Sequence, residues 1–268
     1  MDILTHTVTG LTIGSIVVNL LPSHQPVKKN LSVLLFGMLG GAFPDIDAVS
    51  LWSGFDAHFG KWFAHSGKEI YSGQWWYSHH GFFHSVVAAA LAGFLSGWLI
   101  YAVRRLFRRE KTFYNFWKTY HCPVFYTFVL AAFAHLVCDC VTPASTWGGV
   151  RMWAPLPVYI GGWGNVWWWN NYDIFLIVTG CFLLNLIWMG ACALSKRHTA
   201  TLPLIFAFTA FVFISVQVHN RQIDYAYEGA ATNYQQMEKS SKKEQERILG
   251  KTIYRCMEKF DRRLPFYF

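Results

Sequence analysis

"LSVLLFGMLGGAFPDIDAVS" (residues 31–50) sets the terms on which this chain folds. An apolar run carrying Gly37, Gly40 and Gly41 leads directly into Pro44, Asp45 and Asp47. Up to Phe43 the run reads as membrane-embedded, and its glycines permit close helix packing. A carboxylate beside hydrocarbon is costly unless it faces water, a partner or a cation. The rest of the fold must therefore bring something to these two aspartates.

Working outward, the 268 residues are 53% hydrophobic, 18% aromatic and only 14% charged, against about 25% charged in a soluble domain. Apolar segments at 5–21, 31–43, 82–103, 123–141, 172–194 and 202–218 predict an all-α, polytopic membrane helical bundle of about six spans. The second is short enough to be re-entrant. No basic leader precedes the first run, so it reads as a span and not as a cleavable signal. After residue 218 the composition turns mixed in charge. Apolar residues at helical spacing around Ile248, Leu249, Ile253, Tyr254 and Met257 predict one or two amphipathic helices. The chain thus divides into a membrane-embedded domain (1–218) and a helical tail (219–268), to which no chemistry is given.

Alternating the spans puts loops 22–30, 104–122 and 195–201 on one side. They carry Lys28, Lys29, Arg104, Arg105, Arg108, Arg109, Lys111, Lys118, Lys196 and Arg197, whereas 44–81 and 142–171 carry Lys61, Lys68 and Arg151. The positive-inside rule places the basic loops in the cytoplasm and the long loops outside, which in a bacterial inner membrane means facing the periplasm. The same topology accounts for the net charge of +8, so nucleic acid is not an expected partner. Tryptophan is concentrated in the outer loops. It reads first as an interfacial belt, and alternatively as a platform for a lipid or sugar. The six cysteines form no CxxC pair and read as packing residues.

Before residue 218 the acidic residues are only Asp2, Asp45, Asp47, Asp56, Glu69, Glu110, Asp139 and Asp173. On this topology His6, Asp45, Asp47, His79, His80, His84, His135, Asp139 and Asp173 all fall at the outer end of the bundle. His135 and Asp139 are four apart, which stacks them on one helix face about 6 Å apart at Cβ. His80 and His84 share that spacing. Asp45 and Asp47 would point the same way in an extended chain. Imidazole with carboxylate suits zinc and other divalent transition metals, and a carboxylate can bridge two ions. Singly, each residue has a structural reading: Asp2 and Asp173 as helix caps, His135/Asp139 as an intramembrane pair. His58, His65, His121, His198 and His219 stay in that structural class.

"DILTH" (2–6), "FPDID" (43–47), "HHGFFHS" (79–85) and "HLVCDCVT" (135–142), followed by "GVRMWAPLP" (149–157) and a late Asp, resemble the membrane-bound metal-dependent hydrolase family. Its members were once described as LexA-binding inner-membrane hydrolases. The resemblance runs from residue 2 to about residue 175 and keeps the motif order. It implies ligand roles for His6, Asp45, Asp47, His79, His84, His135 and Asp139, and less directly for Asp173. His80 stands where the family has Arg and Phe83 where it has Thr, so a cation is replaced by a further imidazole. The family's helical bundle is in turn similar to zinc-dependent phospholipase C and related nucleases.

The expected function is therefore hydrolysis of a phosphoester or ester of a lipid-linked or small-molecule substrate, through a water activated by one or two divalent metals, zinc foremost. Asp47 or Asp139 would be the general base. The alternative is a metal-ion or proton transporter using the same cluster. It is disfavoured because transporter sites sit near the bilayer midplane, and no polar path toward the cytoplasmic end is evident.

Overall fold

The computed structural model describes residues 1–21, 26–107, 112–195 and 199–264. Its elements are α1 (Ile3–Leu20), α2 (Val27–Ala42), a 3-10 segment (Pro44–Leu51), the short helices α3 (Phe55–His58) and α4 (Gly67–Ser72), then α5 (Val86–Leu106), α6 (Phe113–Phe116), α7 (Cys122–Cys140), α8 (Tyr172–Ser195), α9 (Thr201–His219) and α10 (Tyr234–Asp261). The protein is all-helical, and strand-like pairing among the described residues is limited to isolated bridges. Of the basic-loop residues, Arg108, Arg109, Lys111, Lys196 and Arg197 lie outside the described residues.

Five helices are long and apolar enough to cross a membrane, or six if α2 and the 3-10 segment, bent by 52°, form one broken span. With 16 residues α2 is short for a span on its own. Pro44 opens the next segment; it lacks an N–H and starts a new helical direction. The third span starts later than its hydropathy suggests. Ser85 caps α5 by accepting from the Ala88 N–H at 3.1 Å, which leaves His79, His80 and His84 in an irregular loop. His80 has a φ of 60°, so the expected helical stacking of His80 on His84 does not occur. The fourth span starts earlier: the helix runs from Phe113 through a π turn, Trp117–His121, into α7. Pro123 has no N–H to give the Thr119 carbonyl, and Lys29 Nζ donates to that oxygen instead at 2.9 Å.

What draws α1, α2 and α7 together is a set of glycines. Lipid tails are as apolar as leucine, so helices in a bilayer associate through close van der Waals packing and hydrogen bonds. Gly10 and Gly14 of α1 meet Gly37 and Gly41 of α2. A Cβ on Gly10 would lie 2.1 Å from the Gly37 carbonyl oxygen, and one on Gly41 2.3 Å from that of His6. On the other side of α2, a Cβ on Gly40 would lie 2.4 Å from the Phe128 carbonyl oxygen of α7. A polar seam joins α1 to α8: Thr12 donates to Val178 O (3.2 Å), and Asn19 Nδ2 donates to Asn185 O (3.1 Å). Buried Thr12, Ser15, Asn19 and Asn185 correct the expectation that no polar residue continues inward. All four are neutral.

Over the site end sits a cap made from loop 142–171 and the tail. Trp147, Trp167, Trp168 and Tyr225 form its buried core, so part of the expected Trp belt is interior, while Trp52, Trp62, Trp76, Trp153 and Trp163 are exposed. The chain after α9 crosses loop 142–171 as a strap, held by Tyr225 N–H to Gly164 O (2.9 Å) and Ser145 N–H to Tyr227 O (3.0 Å). Gly164 has a φ of 66°, and a Cβ there would lie 2.1 Å from Ala226 N. Gly250, at φ 71°, interrupts α10. That break shifts the apolar register, so Tyr254 and Met257 are buried while Ile253 is 49% exposed.

These contacts give opposite expectations for two alanine substitutions. Gly10→Ala forces its Cβ against backbone and should lower thermal stability in detergent by about 1–3 kcal/mol, the usual range for overpacking. Gly180→Ala in α8 meets nothing within 4 Å and should be neutral or stabilising by up to about 1 kcal/mol through helix propensity.

Candidate metal centre

The helix ends and the 3-10 segment bring His6, Asp45, Asp47, His79, His80, His84, His135 and Asp139 together. His6 lies in the first turn of α1 and stacks on His135 of α7, ring centroids 3.5 Å apart. Asp139, one turn after His135, holds its Oδ2 2.9 Å from His135 Nε2 and its Oδ1 3.1 Å from His6 Nε2. The amino group of Met1 also contacts Asp139 Oδ1, at 2.5 Å. All of these side chains are buried except that of Asp45, which is 12% exposed.

Each imidazole from α7 and the 79–84 loop has its Nδ1 occupied. His135 Nδ1–H donates to Gly41 O (2.7 Å) and His80 Nδ1–H to Gly149 O (2.9 Å). His79 and His84 Nδ1–H donate to the two oxygens of Asp47, at 2.7 and 3.1 Å. Histidines that bind metal usually give their other ring nitrogen to such an acceptor. The Nε2 atoms of His84 and His135 are buried without a hydrogen-bond partner. Burial normally exacts a partner for such atoms; here what faces them is a pair of carboxylates.

Two carboxylates face the same two imidazole nitrogens. Asp45 Oδ1 is 3.7 Å from His84 Nε2 and 3.6 Å from His135 Nε2. Asp139 Oδ2 is 3.6 Å from His84 Nε2 and 2.9 Å from His135 Nε2. Ligands about 2.0–2.1 Å from a tetrahedral ion lie roughly 3.3–3.4 Å apart, and these carboxylate–imidazole distances bracket that spacing. Three overlapping groups can hold a metal: His79/His80/His84, His6/Asp45/His135 and His84/His135/Asp139, with ligand atoms within 4.8 Å in each. The cluster has donors for more than one ion.

Burial and the neighbouring carboxylates set the local electrostatics. Burial disfavours a charged His84, but Asp47 and Asp45 outweigh it and lift its pKa to about 10. His80 is held well below the ordinary imidazole range by burial and by neighbouring His79 and His84. Beside the cluster is a cavity of about 290 Å³, lined by Asp45, Asp139, His79, His80, Tyr71 and Trp147 among others, with Tyr227 and Tyr234 from the tail closing one wall. Tyr71 stacks on His79 at 4.4 Å and Trp147 meets it edge-on at 4.9 Å. No Lys or Arg side chain lines this cavity among the described residues.

Two placements differ from the sequence reading. Asp45 and Asp47 were expected to point one way in extended backbone. Pro44 instead starts a 3-10 turn, which sends Asp45 toward His84 and His135 and Asp47 toward the far nitrogens of His79 and His84. Asp173 lies outside the cluster. Its carboxylate accepts from Arg221 Nη2 (2.9 and 3.1 Å) and from Gln245 Nε2 (3.0 Å), so the tail supplies its partners. Tyr71, Tyr227 and Tyr234 were not singled out in the sequence, whereas Trp147 and Trp168 belong to the outer-loop tryptophans read as a belt or a platform. His121 fits its structural reading, donating from Nε2 to Gly93 O at 3.0 Å near the opposite end of α7.

Asp47 and Asp173 should therefore separate in a metal titration. Asp47→Asn removes the acceptor that orients two imidazoles and should weaken affinity about 10–100-fold, the usual cost of losing such a support. Asp173→Asn should leave affinity unchanged and lower stability instead. Competition with a chromophoric chelator measures the first, thermal unfolding the second.

Comparison with known proteins places the chain. No curated protein and no solved structure matches it. The model of one family, described as YdjM inner membrane protein, matches residues 1–221, which takes in every span and every member of the cluster. With its apolar helices this makes the chain an integral inner membrane protein, a member of the YdjM inner membrane protein family.

Proposed function

We propose that the protein is a membrane hydrolase that uses one or two divalent metals, zinc foremost, to cleave a phosphoester or ester of a lipid-linked substrate at the periplasmic end of its bundle. The observation that carries this reading is the buried group His84, His135 and Asp139, whose ligand atoms lie within 4.8 Å of one another, with Asp45 Oδ1 3.7 and 3.6 Å from the same two imidazole nitrogens. A bound divalent ion would supply Lewis acidity and a water whose pKa falls to about 7. Asp45, His84, His135 and Asp139 would hold it, with His6, His79 and His80 available to a second. The donor set is nitrogen and oxygen, which suits zinc.

The chain's own residues divide the remaining work. Asp47 has both oxygens engaged by His79 and His84 and serves to orient them. Asp139 borders the cavity, and with its Oδ1 engaged by Met1 and His6 its Oδ2 is the oxygen left to hold metal or take a proton. Tyr71, Trp147 and Trp168 exclude water from the cavity wall. With no Lys or Arg there, the charge of an anionic substrate falls to the metal. The basic residues of the opposite loops, Lys28, Lys29, Arg104, Arg105 and Lys118 among them, support the periplasmic orientation. Transport is the weaker reading because the buried polar residues leading inward are neutral and hydrogen-bonded to one another or to backbone.

Purified protein in detergent, screened against phosphoester and ester lipids, should show hydrolysis that a chelator abolishes and zinc restores. Asp139→Asn should cut the rate by about 10²-fold or more, the scale of a lost general base. Hydrolysis untouched by chelation, or metal uptake into proteoliposomes without hydrolysis, would sink the proposal.

A further inference from the structure

The 3-10 segment does more than present Asp45 and Asp47. With three residues per turn, positions i and i+3 superpose, so Pro44–Leu51 divides into three strips. Pro44, Asp47 and Ser50 are buried, and this strip carries the carboxylate that holds His79 and His84. Asp45 and Ala48 line the cavity. Ile46 and Val49, continued by Trp52, form the third strip and are 54%, 56% and 50% exposed.

That outward strip is apolar throughout, on a segment where sequence could readily have placed polar residues. It follows directly on an exposed apolar stripe of α2, Leu31, Leu35 and Leu39, spaced four apart along the helix. In an inner membrane protein that stripe faces acyl chains. Ile3, at the start of α1, is both exposed and part of the cavity lining, so the cavity rim on this side is apolar too. A Trp at the end of such a strip suits the headgroup boundary, where its ring and N–H are both accommodated.

We propose that the Ile46–Val49–Trp52 strip is seated in the bilayer interface, and that the cavity behind it receives a lipid headgroup laterally, from the leaflet and not from the aqueous phase. The occupant of this surface is membrane lipid, because the strip follows in sequence on the exposed apolar stripe of α2, with which its segment can form one broken span. Ala48, a small residue, lines the cavity beside Asp45. Lateral entry rests on the hydrolase reading above; the seating of the strip in lipid does not.

The seating is tested by nitroxide labels at Ile46→Cys and Val49→Cys, each with exposed Cys256 changed to Ser, in protein reconstituted into phosphatidylcholine–phosphatidylglycerol vesicles. Collision with oxygen should exceed collision with a water-soluble nickel complex at both positions, with the reverse at Lys61→Cys in the same loop. Nickel access at 46 and 49 equal to that at 61 would overturn the proposal, and so would low access to both reagents, the signature of a protein partner. Should the labelled variants fail to fold, quenching of tryptophan fluorescence by brominated lipids, compared between wild type and Trp52→Phe, gives the same answer. For lateral entry, Val49→Lys should lower hydrolysis of a lipid phosphoester in vesicles several-fold and spare a water-soluble phosphoester. Equal loss on both, or no loss on either, overturns lateral entry with the site intact. No hydrolysis of either by wild type overturns the hydrolase reading and lateral entry together, while the spin labels still decide the seating.

Discussion

Two carboxylates, Asp45 and Asp139, face the same pair of imidazole nitrogens inside the end of a membrane bundle. Isolated ionised groups do not survive such burial; they are neutralised, paired or coordinated. Here each oxygen sits within 3.7 Å of His84 and His135 Nε2, and the buried His/Asp groups could hold a cation. With Asp47, the same carboxylates favour a proton on His84, whose pKa they lift to about 10. Much of the surrounding architecture serves to keep that geometry and to exclude competing partners.

The path from sequence to site runs through backbone contacts. Glycines without a Cβ let α1 and α2 touch, which places His6 over His135. The Gly41 carbonyl, at the end of α2, then accepts from His135 Nδ1, so the helix that delivers Asp45 also sets the tautomer of its neighbour. Pro44 turns the chain into a 3-10 course, and three residues per turn separate the roles of Asp45, Asp47 and Ile46. The tail joins this arrangement through Asp173, whose buried pairing with Arg221 and Gln245 fixes the strap that brings Tyr227 to the cavity.

Local patterns carried most of what was readable beforehand. Apolar runs gave the bundle and its spans, and the i,i+4 spacing of His135 and Asp139 put both on one face, as observed. Gathering His6, Asp45, Asp47 and the 79–84 histidines at one end followed from topology alone. What escaped was decided by non-local contacts or by the choice of helix type. Extended and 3-10 backbone differ in where Asp47 points, and nothing short of packing against His79 and His84 distinguishes them. Ser85 capping α5 moved His80 and His84 off a helix. The partner of Asp173 lies 48 residues away at Arg221, beyond any periodicity. The Trp-rich loop read as a belt because composition cannot tell a ring facing lipid from one buried at Trp167.

The account stands or falls on whether the cluster holds metal in the intact protein. Metal content of protein purified from membranes in chelator-free detergent, by elemental mass spectrometry, addresses this without any knowledge of substrate. One or two equivalents of a divalent transition metal in the wild type, lost in His135→Ala and Asp45→Ala variants that keep their helical content, is the result this account predicts. A wild type without stoichiometric metal, and unable to take it up on addition, would contradict it.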